Sequence, residues 1–260
     1  MTDRRQDDQP PRRQFYGRRS GRPLRPARAR LVESLLPRLS LTLETVASAR
    51  GLAALFETRP EETGPDERGP EELWLEIGFG AGEHLAAQAA ARPEIGFLGV
   101  EVFVNGIASL LARIEAAGLR NVRIYQGDGR DLLEALPEAL LGRVSVLFPD
   151  PWPKTRHQRR RIIQAATLDH LARVLRDGGE LRLATDDPDY LTWMLEKTTA
   201  HPAFEWRARQ AADWRRRPAD WPPSRYEQKA LARGATPTYL RFRRRERPAA
   251  GPGKGPDKAP

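Results

Sequence analysis

The chain of 260 residues contains no cysteine. Disulfides, thiolate metal sites and a cysteine nucleophile are therefore excluded. Histidine is scarce as well, and the four residues His84, His157, His170 and His201 are too scattered to match the spacing of a metal-ligand set. We therefore expect no bound metal.

Long apolar segments are also absent. No stretch approaches the roughly 20 apolar residues that span a membrane, and residues 1–30 are polar and arginine-rich, without the apolar core of a signal peptide. The P-loop pattern of nucleotide-binding proteins and the nucleophile elbow of serine hydrolases are missing too. These absences favour a cytoplasmic protein with no membrane partner.

Positive charge is what the sequence has in excess. Its 44 lysines and arginines, of which 39 are arginine, outnumber 35 acidic residues and give a net charge of +9. An arginine-rich genome or a solvated face would explain one basic cluster, whereas four separate clusters favour a nucleic-acid partner. The clusters are residues 4–30, 154–161, 207–217 and 241–247.

Composition divides the chain into three parts. Residues 1–28 form a basic arm that we expect to be disordered, because it has few apolar side chains. Residues 29–246 form the main domain, and the proline- and glycine-rich residues 247–260 are expected to be a disordered tail.

From residue 73 onward, apolar strand patterns alternate with helical ones. This alternation predicts an α/β fold with a mostly parallel sheet and helices on both faces. The predicted strands are residues 73–77, 97–101, 122–125, 144–148 and 180–184, and the predicted helices are 83–91, 105–117, 132–140 and 160–175. Two later strands, 204–209 and 238–243, have no good helix between them, which favours an antiparallel edge and seven strands in all.

Nearly every predicted parallel strand ends in an acidic residue. The carboxyl ends of such strands meet at one edge of an open α/β sheet, where ligands bind. A single acid there is explained by helix capping, but five form a negatively charged rim. The five are Glu76, Glu101, Asp128, Asp150 and Asp186.

The first strand leads into a glycine-rich turn. Gly78, Gly80 and Gly82 allow the backbone to approach a ligand closely, and Glu101, 19 residues past Gly82, suits ribose hydroxyls. A dinucleotide is one candidate ligand, but the surrounding acids would repel its pyrophosphate. S-adenosylmethionine carries a sulfonium and an ammonium group and fits an acidic cleft better.

The fourth strand delivers Asp150 into a frame of three prolines, which restrict the backbone around the carboxylate. Five cations follow within residues 154–161. Arg159, Arg160 and Arg161 are predicted to open a helix, where the macrodipole disfavours cations unless an anion binds there. RNA phosphates would supply that anion.

Four segments together resemble bacterial tRNA (guanine-N7-)-methyltransferases. They are Glu-Ile-Gly-Phe-Gly-Ala-Gly at 76–82, Phe-Pro-Asp-Pro-Trp-Pro-Lys at 148–154 with Arg156 and His157, Ala-Thr-Asp at 184–186, and Ser-Arg-Tyr-Glu at 224–227. The resemblance extends over roughly residues 15–243. It implies a Rossmann-like class I methyltransferase fold, S-adenosylmethionine as cofactor, and guanine 46 in the variable loop of tRNA as substrate.

The resemblance and the charge pattern assign candidate roles. Asp150 is the implied catalytic residue. The methyl-donor candidates are Glu76, Gly78, Gly80, Gly82, Glu101, Asp128 and Asp150; the substrate candidates are Lys154, Asp186, Ser224, Arg225, Tyr226 and Glu227; and the RNA-binding candidates are Arg156, His157, Gln158, Arg159, Arg160 and Arg161.

Two other functions stay open on the sequence. One is a class I methyltransferase that acts on another RNA or on a small molecule, and the other is a non-catalytic RNA-binding protein on the same fold. The sequence leaves the oligomeric state, monomer or homodimer, undecided.

Overall fold

A seven-stranded mixed sheet organises the computed structural model, which describes residues 17–56, 69–223 and 225–248. The strands are β1 (Glu72–Ile77), β2 (Ile95–Glu101), β3 (Val122–Gln126), β4 (Leu141–Leu147), β5 (Leu175–Thr185), β6 (Phe204–Trp206) and β7 (Thr238–Arg244). Their order is β3-β2-β1-β4-β5-β7-β6. Strands β1 to β5 are parallel, and β7 runs antiparallel to both β5 and β6.

This topology confirms the predicted fold, including the antiparallel edge. The strand order reverses between β1 and β4, which is where open α/β sheets bind ligands. Ile77 of β1 pairs with Val100 of β2 and with Val146 of β4, so these three strands end at the same level. The register therefore brings their terminal acids to one edge.

Helices cover both faces of the sheet. They are α1 (Pro26–Ser34), α2 (Leu36–Leu39), α3 (Leu43–Ser48), α4 (Leu52–Phe56), α5 (Glu83–Ala91), α6 (Val104–Ala117), α7 (Gly129–Ala135), α8 (Ala165–Val174), α9 (Pro188–Ala200), α10 (Ala212–Arg215) and α11 (Arg225–Ala232). None of the described helices is long and apolar enough to cross a membrane.

Each face has its own apolar core. Leu85 of α5 and Ile107 of α6 pack in one buried cluster with Phe97. Leu132 of α7 and Leu168 of α8 belong to a second cluster. The sheet is thus buried on both faces, as near-continuous apolar strands require.

The helix predicted for residues 160–175 is wrong at its start. Residues Thr155–Arg160 form a 3₁₀ helix, and α8 begins only at Ala165. Arg161 ends the 3₁₀ helix with extended backbone, at φ −55° and ψ 136°, and its side chain turns into the protein. The macrodipole argument for Arg159, Arg160 and Arg161 therefore fails.

Helices α9 and α11 were not predicted. Asp187 caps α9 by accepting a hydrogen bond from the backbone N–H of Tyr190 (2.7 Å), and Pro188 occupies its first turn. The α7 helix starts three residues before the predicted 132–140 segment because Asp128 caps it at Arg130 N–H (2.9 Å).

Both predicted chain-end boundaries fall inside hydrogen-bonded segments. The N–H of Gly21 donates to Asn105 Oδ1 (2.8 Å) and that of Val104 to Arg19 O (3.0 Å), so residues 17–28 lie against α6. At the other end, Arg247 donates to the carbonyl of Leu175 (2.9 Å). The predictions for residues 1–16 and 249–260 lie outside the described residues.

Candidate active site

The glycine turn between β1 and α5 has the backbone that its sequence predicts. Gly78, Gly80 and Gly82 have φ values of 74°, 58° and 74°, in the region that favours glycine. A Cβ added at Gly80 would lie 2.8 Å from the ring of Tyr226. The backbone of the turn, which carries no side chain at its glycines, therefore lies at the carboxyl edge of the sheet. The Tyr226 ring packs against it at Gly80.

Glu101, at the end of β2, binds the backbone of this turn. Its carboxylate accepts hydrogen bonds from the N–H groups of Gly80 (2.9 Å), Val102 (2.9 Å) and Phe103 (3.0 Å). Burial raises the pKa of Glu101, these three donors oppose the rise, and the charge of Asp150 adds to it. Two of the predicted rim acids therefore lie close enough to repel each other.

The backbone around Asp150 is strained on both sides. Phe148 has φ 50° and Trp152 has φ 45°, which is unusual for bulky side chains. Such positions cost on the order of 1–3 kcal/mol each and persist only where the surroundings hold them. Here the N–H of Phe148 donates to Ala184 O (2.8 Å) and Arg161 Nε donates to Pro151 O (2.7 Å).

Asp150 is exposed at the edge of a cleft of about 510 Å³. Asp128 shares this cleft, and its carboxylate is bonded to the guanidinium of Arg130 (2.5 Å). The lining residues are Gly17, Asp128, Arg130, Pro149, Asp150, Trp152, Arg160 and Ile162. The cleft thus holds one carboxylate that is ion-paired, that of Asp128, and one that is exposed, that of Asp150.

Arg161 does not fit its predicted role in RNA binding. It is 1% exposed, forms an ion pair with Asp189, and its guanidinium lies 4.8 Å from the ring centroid of Tyr190 and 5.0 Å from that of Trp193. A residue buried in this way cannot contact a phosphate. Its hydrogen bond to Pro151 instead fixes the segment that carries Asp150.

The rest of the basic run lies near the surface. Lys154, Arg156 and Arg159 are exposed, whereas Arg160 stacks on Trp152 at 5.0 Å. Partial desolvation and the surrounding cations lower the pKa of His157. His157 is therefore predominantly neutral at pH 7.

Glu76 lies inside the protein. It is 5% exposed, and its Oε2 lies 2.7 Å from Nδ1 of His84, which is equally buried. Gln88, next to His84, donates to the backbone carbonyl of Asp220 (2.6 Å). A buried polar chain therefore connects the end of β1 with the segment that precedes α11.

Residues 225–227 lie in α11, whereas the sequence indicated no good helix between residues 209 and 238. Tyr226 is half-exposed, and desolvation followed by the charges of Glu101 and Asp150 raises its pKa. Glu227 is buried, and its carboxylate accepts from the hydroxyl of Tyr239 and pairs with Arg217 (3.2 Å). Ser224 lies outside the described residues.

Asp186, the acid after β5, pairs with Arg233 just beyond α11, at 3.0 Å. Within the described parts of the chain, no group of three or more acidic or histidine side chains could hold a metal ion. The site is therefore built from carboxylates, glycine backbone and arginines.

A family model and a solved structure are similar to parts of this chain. A family model described as "Putative methyltransferase" matches residues 70–239. Among solved structures, a 16S rRNA methyltransferase, KamB, aligns with a TM-score of 0.48 at 15% identity, covering 68% of this chain and 89% of that one.

Curated relatives match nearly the whole chain. The tRNA (guanine-N(7)-)-methyltransferase of Rhodospirillum rubrum is 54% identical over 241 residues, covering 92% of this chain and 90% of that protein. The protein of the same name from Paramagnetospirillum magneticum is 50% identical over 237 residues, covering 91% and 94%. The chain belongs to the tRNA (guanine-N(7)-)-methyltransferase family. The predicted resemblance is thereby confirmed, and membership makes S-adenosylmethionine the methyl donor.

Two residues that position others in this methyltransferase site, His84 and Arg161, were not predicted in that role from the sequence. His84 follows the glycine turn by two positions, and its contact with Glu76 could have been suspected from that proximity. Arg161 carried no such signal, because nothing in a run of arginines marks the one that turns inward.

Proposed function

We propose that the protein transfers the methyl group of S-adenosylmethionine to N7 of guanine 46 in the variable loop of tRNA, in the cytoplasm. The names of its relatives supply the tRNA and the guanine N7. The observation that carries the proposal is Asp150, exposed at a cleft between two strained residues and close enough to Glu101, which binds the glycine turn, for the two charges to interact.

The residues around the turn fit the methyl donor. Gly78 has open space where a Cβ would stand, so its backbone is free to meet a ligand. Glu101, Asp128 and Asp150 are acidic and suit a ligand with two cationic groups; burial raises the pKa of Glu101, and the charge of Asp150 adds to the rise. When bound, S-adenosylmethionine supplies an electrophilic methyl group on a sulfonium.

Asp150 would act by orientation and charge. Guanine N7 is an in-plane acceptor with a free lone pair and no proton. No general base is therefore needed to create the nucleophile, and the site has to hold N7 in line at near-attack distance. A fixed carboxylate beside the purine stabilises the positive charge that develops on the ring.

Exposed cations beside the cleft would hold the RNA backbone. Lys154, Arg156 and Arg159 are solvent-exposed and follow Asp150 directly. Half-exposed Tyr226, lying on the glycine turn, would offer a ring on which a base can stack. The buried Arg161 and Glu227 would position their neighbours and not touch the RNA.

Product mapping tests the proposal. Labelled S-adenosylmethionine is incubated with a tRNA transcript that has guanine at position 46 and with a transcript that has adenine there. The labelled nucleoside is identified, and strand scission after borohydride reduction locates 7-methylguanosine. We expect label as 7-methylguanosine at position 46 of the first transcript only. Label at another guanine, or in another nucleoside, would contradict the substrate assignment.

A further inference from the structure

A second basic cleft lies at the antiparallel edge of the sheet, apart from the cleft that holds Asp150. Its open volume, which includes bulk solvent at the mouth, is about 900 Å³, against about 510 Å³ around Asp150. We call it the arginine groove. Its charged lining residues are Arg207, Arg209, Asp213, Arg216, Arg217 and Arg241.

The groove has one acid in its lining, and that acid is already engaged. The carboxylate of Asp213 accepts the backbone N–H groups of Arg209 (2.8 Å) and Gln210 (3.1 Å), and these donors lower its pKa. Asp213 thus serves the local turn and also interacts with the charge of Arg209, so the groove has a single acid against five arginines.

Three of the five arginines have partners outside the lining. Arg207 lies 3.7 Å from Glu205, Arg217 lies 3.2 Å from Glu227, and Arg241 lies 2.6 Å from Glu180.

The other two arginines, Arg209 and Arg216, form no ion pair with any residue that the structure describes, and both are exposed. They stand on either side of α10 (Ala212–Arg215). Cations spread along an open cleft suit an extended polyanion, whereas a small anion would be enclosed by converging donors.

The groove adjoins the proposed site. Arg217 donates to the carbonyl of Trp221 (2.8 Å) and pairs with Glu227, the residue that follows Tyr226 in α11. Tyr226 in turn lies against Gly80 of the glycine turn. The arginine groove is therefore linked through Arg217 to α11, the helix that contacts the glycine turn.

We infer that the arginine groove binds the phosphate backbone of the tRNA, as a contact separate from the exposed cations that follow Asp150. The inference rests on the proposed function, because it names where the same substrate is held. It assigns Arg209 and Arg216 to direct phosphate contact. Arg217 is a positioning residue that holds Glu227 and the start of α11.

The double variant R209A/R216A tests the groove. Each lost phosphate contact should reduce the slope of log Kd against log salt by about 1, so the slope should fall by about 1–2 and affinity by about tenfold at moderate salt. The control is R50A/R176A, which removes two exposed charges from outside the groove lining; Arg176, near the start of β5 and at the opposite end of that strand from Thr185, pairs with Glu72 (3.0 Å). Equal slopes for the two double variants would overturn the inference.

A cross-linking experiment gives a second readout that does not depend on affinity. Because the chain has no cysteine, the variant R209C carries a single attachment point for a thiol-directed photo-cross-linker. We expect R209C to cross-link to tRNA, and R50C, treated in the same way, to fail. Cross-linking that is no stronger than that of R50C would also overturn the inference.

The two proposals fail in distinguishable ways. Binding slopes and cross-links are measured without turnover, so they judge the groove even if no 7-methylguanosine forms. If 7-methylguanosine forms at position 46 while R209A/R216A matches its control, the function stands and the groove is wrong.

Discussion

The carboxyl edge of the sheet has two unlike sides. On the side of β1 to β3, Glu101 and Asp128 are fixed by local donors: backbone N–H groups for the first, a cap and Arg130 for the second. On the side of β4 to β7, some arginines are buried and others are exposed. Arg161 is enclosed by aromatic rings, while Arg159, two residues earlier, faces solvent.

Buried arginines on the β4 side have a structural role. Arg143 of β4 lies 3.6 Å from the ring centroid of Trp74, and burial together with the charge of Arg182 lowers its pKa to about 10. Arg182 of β5 binds the carboxylate of Asp220 (2.6 Å) and so holds the segment before α11. Strand register therefore places the acids, whereas tertiary packing decides what each arginine does.

The acidic side and the basic side meet at Asp150, where we expect the largest effect. Asp150→Ala should lower kcat by about 100- to 1,000-fold, because a fixed carboxylate is lost from the developing positive charge. Asp150 is exposed, so folding and tRNA affinity should persist. Steady-state methylation with saturating tRNA and S-adenosylmethionine measures kcat. Asp186→Ala, which removes the next acid along the sheet edge, shows whether any carboxylate there has the same effect. Near-normal turnover by Asp150→Ala would end its assignment as the catalytic residue.

Two arginines of one run offer the next test. Arg161→Met should cost about 1–3 kcal/mol of unfolding free energy, because the Pro151 carbonyl loses its donor and Asp189, which is largely exposed, loses its partner. Arg159→Met, the matched control, should stay within about 0.5 kcal/mol. Urea denaturation measures both.

A purely structural role for Arg161 would leave the activity of the folded protein unchanged. We expect instead that Arg161→Met, assayed at a temperature where it is folded, loses about tenfold in kcat while its affinity for S-adenosylmethionine is kept, since a displaced carboxylate costs rate. Unchanged kcat would show that the bond to Pro151 does not position Asp150.

The smallest effect is expected on the acidic side. Glu101→Gln should weaken S-adenosylmethionine binding by about tenfold, through loss of a charged acceptor. Because burial raises the pKa of Glu101, the wild-type carboxylate takes up its proton at a higher pH than an ordinary glutamate. Wild-type affinity should therefore fall as pH is lowered through that raised pKa, and the variant should be flat over the same window. Calorimetric titrations at several pH values compare the affinities of the wild type and the variant. If the two pH profiles are parallel, the pH dependence does not come from Glu101.

Much of the fold could be predicted because local signals agreed with it. The glycines at 78, 80 and 82 require a tight turn, and alternating apolar segments fixed β1 to β5 to within a few residues. Helix α8 shows the limit. Its apolar spacing was correct, but its start was set by Arg161 turning inward to Pro151, a contact between residues ten positions apart.

The site could be predicted where it follows strand ends and not where it depends on packing. Glu101 and Asp150 lie close together because β2 and β4 flank β1 at the same level. Glu227 gave no indication that Tyr239 and Arg217 would bury its carboxylate, since both partners come from other parts of the chain. Long-range partners of this kind leave no periodicity in the sequence.

The left-handed backbone at Trp152 costs stability, but it also fixes the chain beside Asp150, which favours turnover. A glycine at this position would relieve the steric cost of φ 45°, yet it would also free the chain next to Asp150. Evolution toward heat resistance and evolution toward rate would therefore favour different residues here. In this chain Trp152 occupies the position, so the backbone beside Asp150 is held at a steric cost on the order of 1–3 kcal/mol.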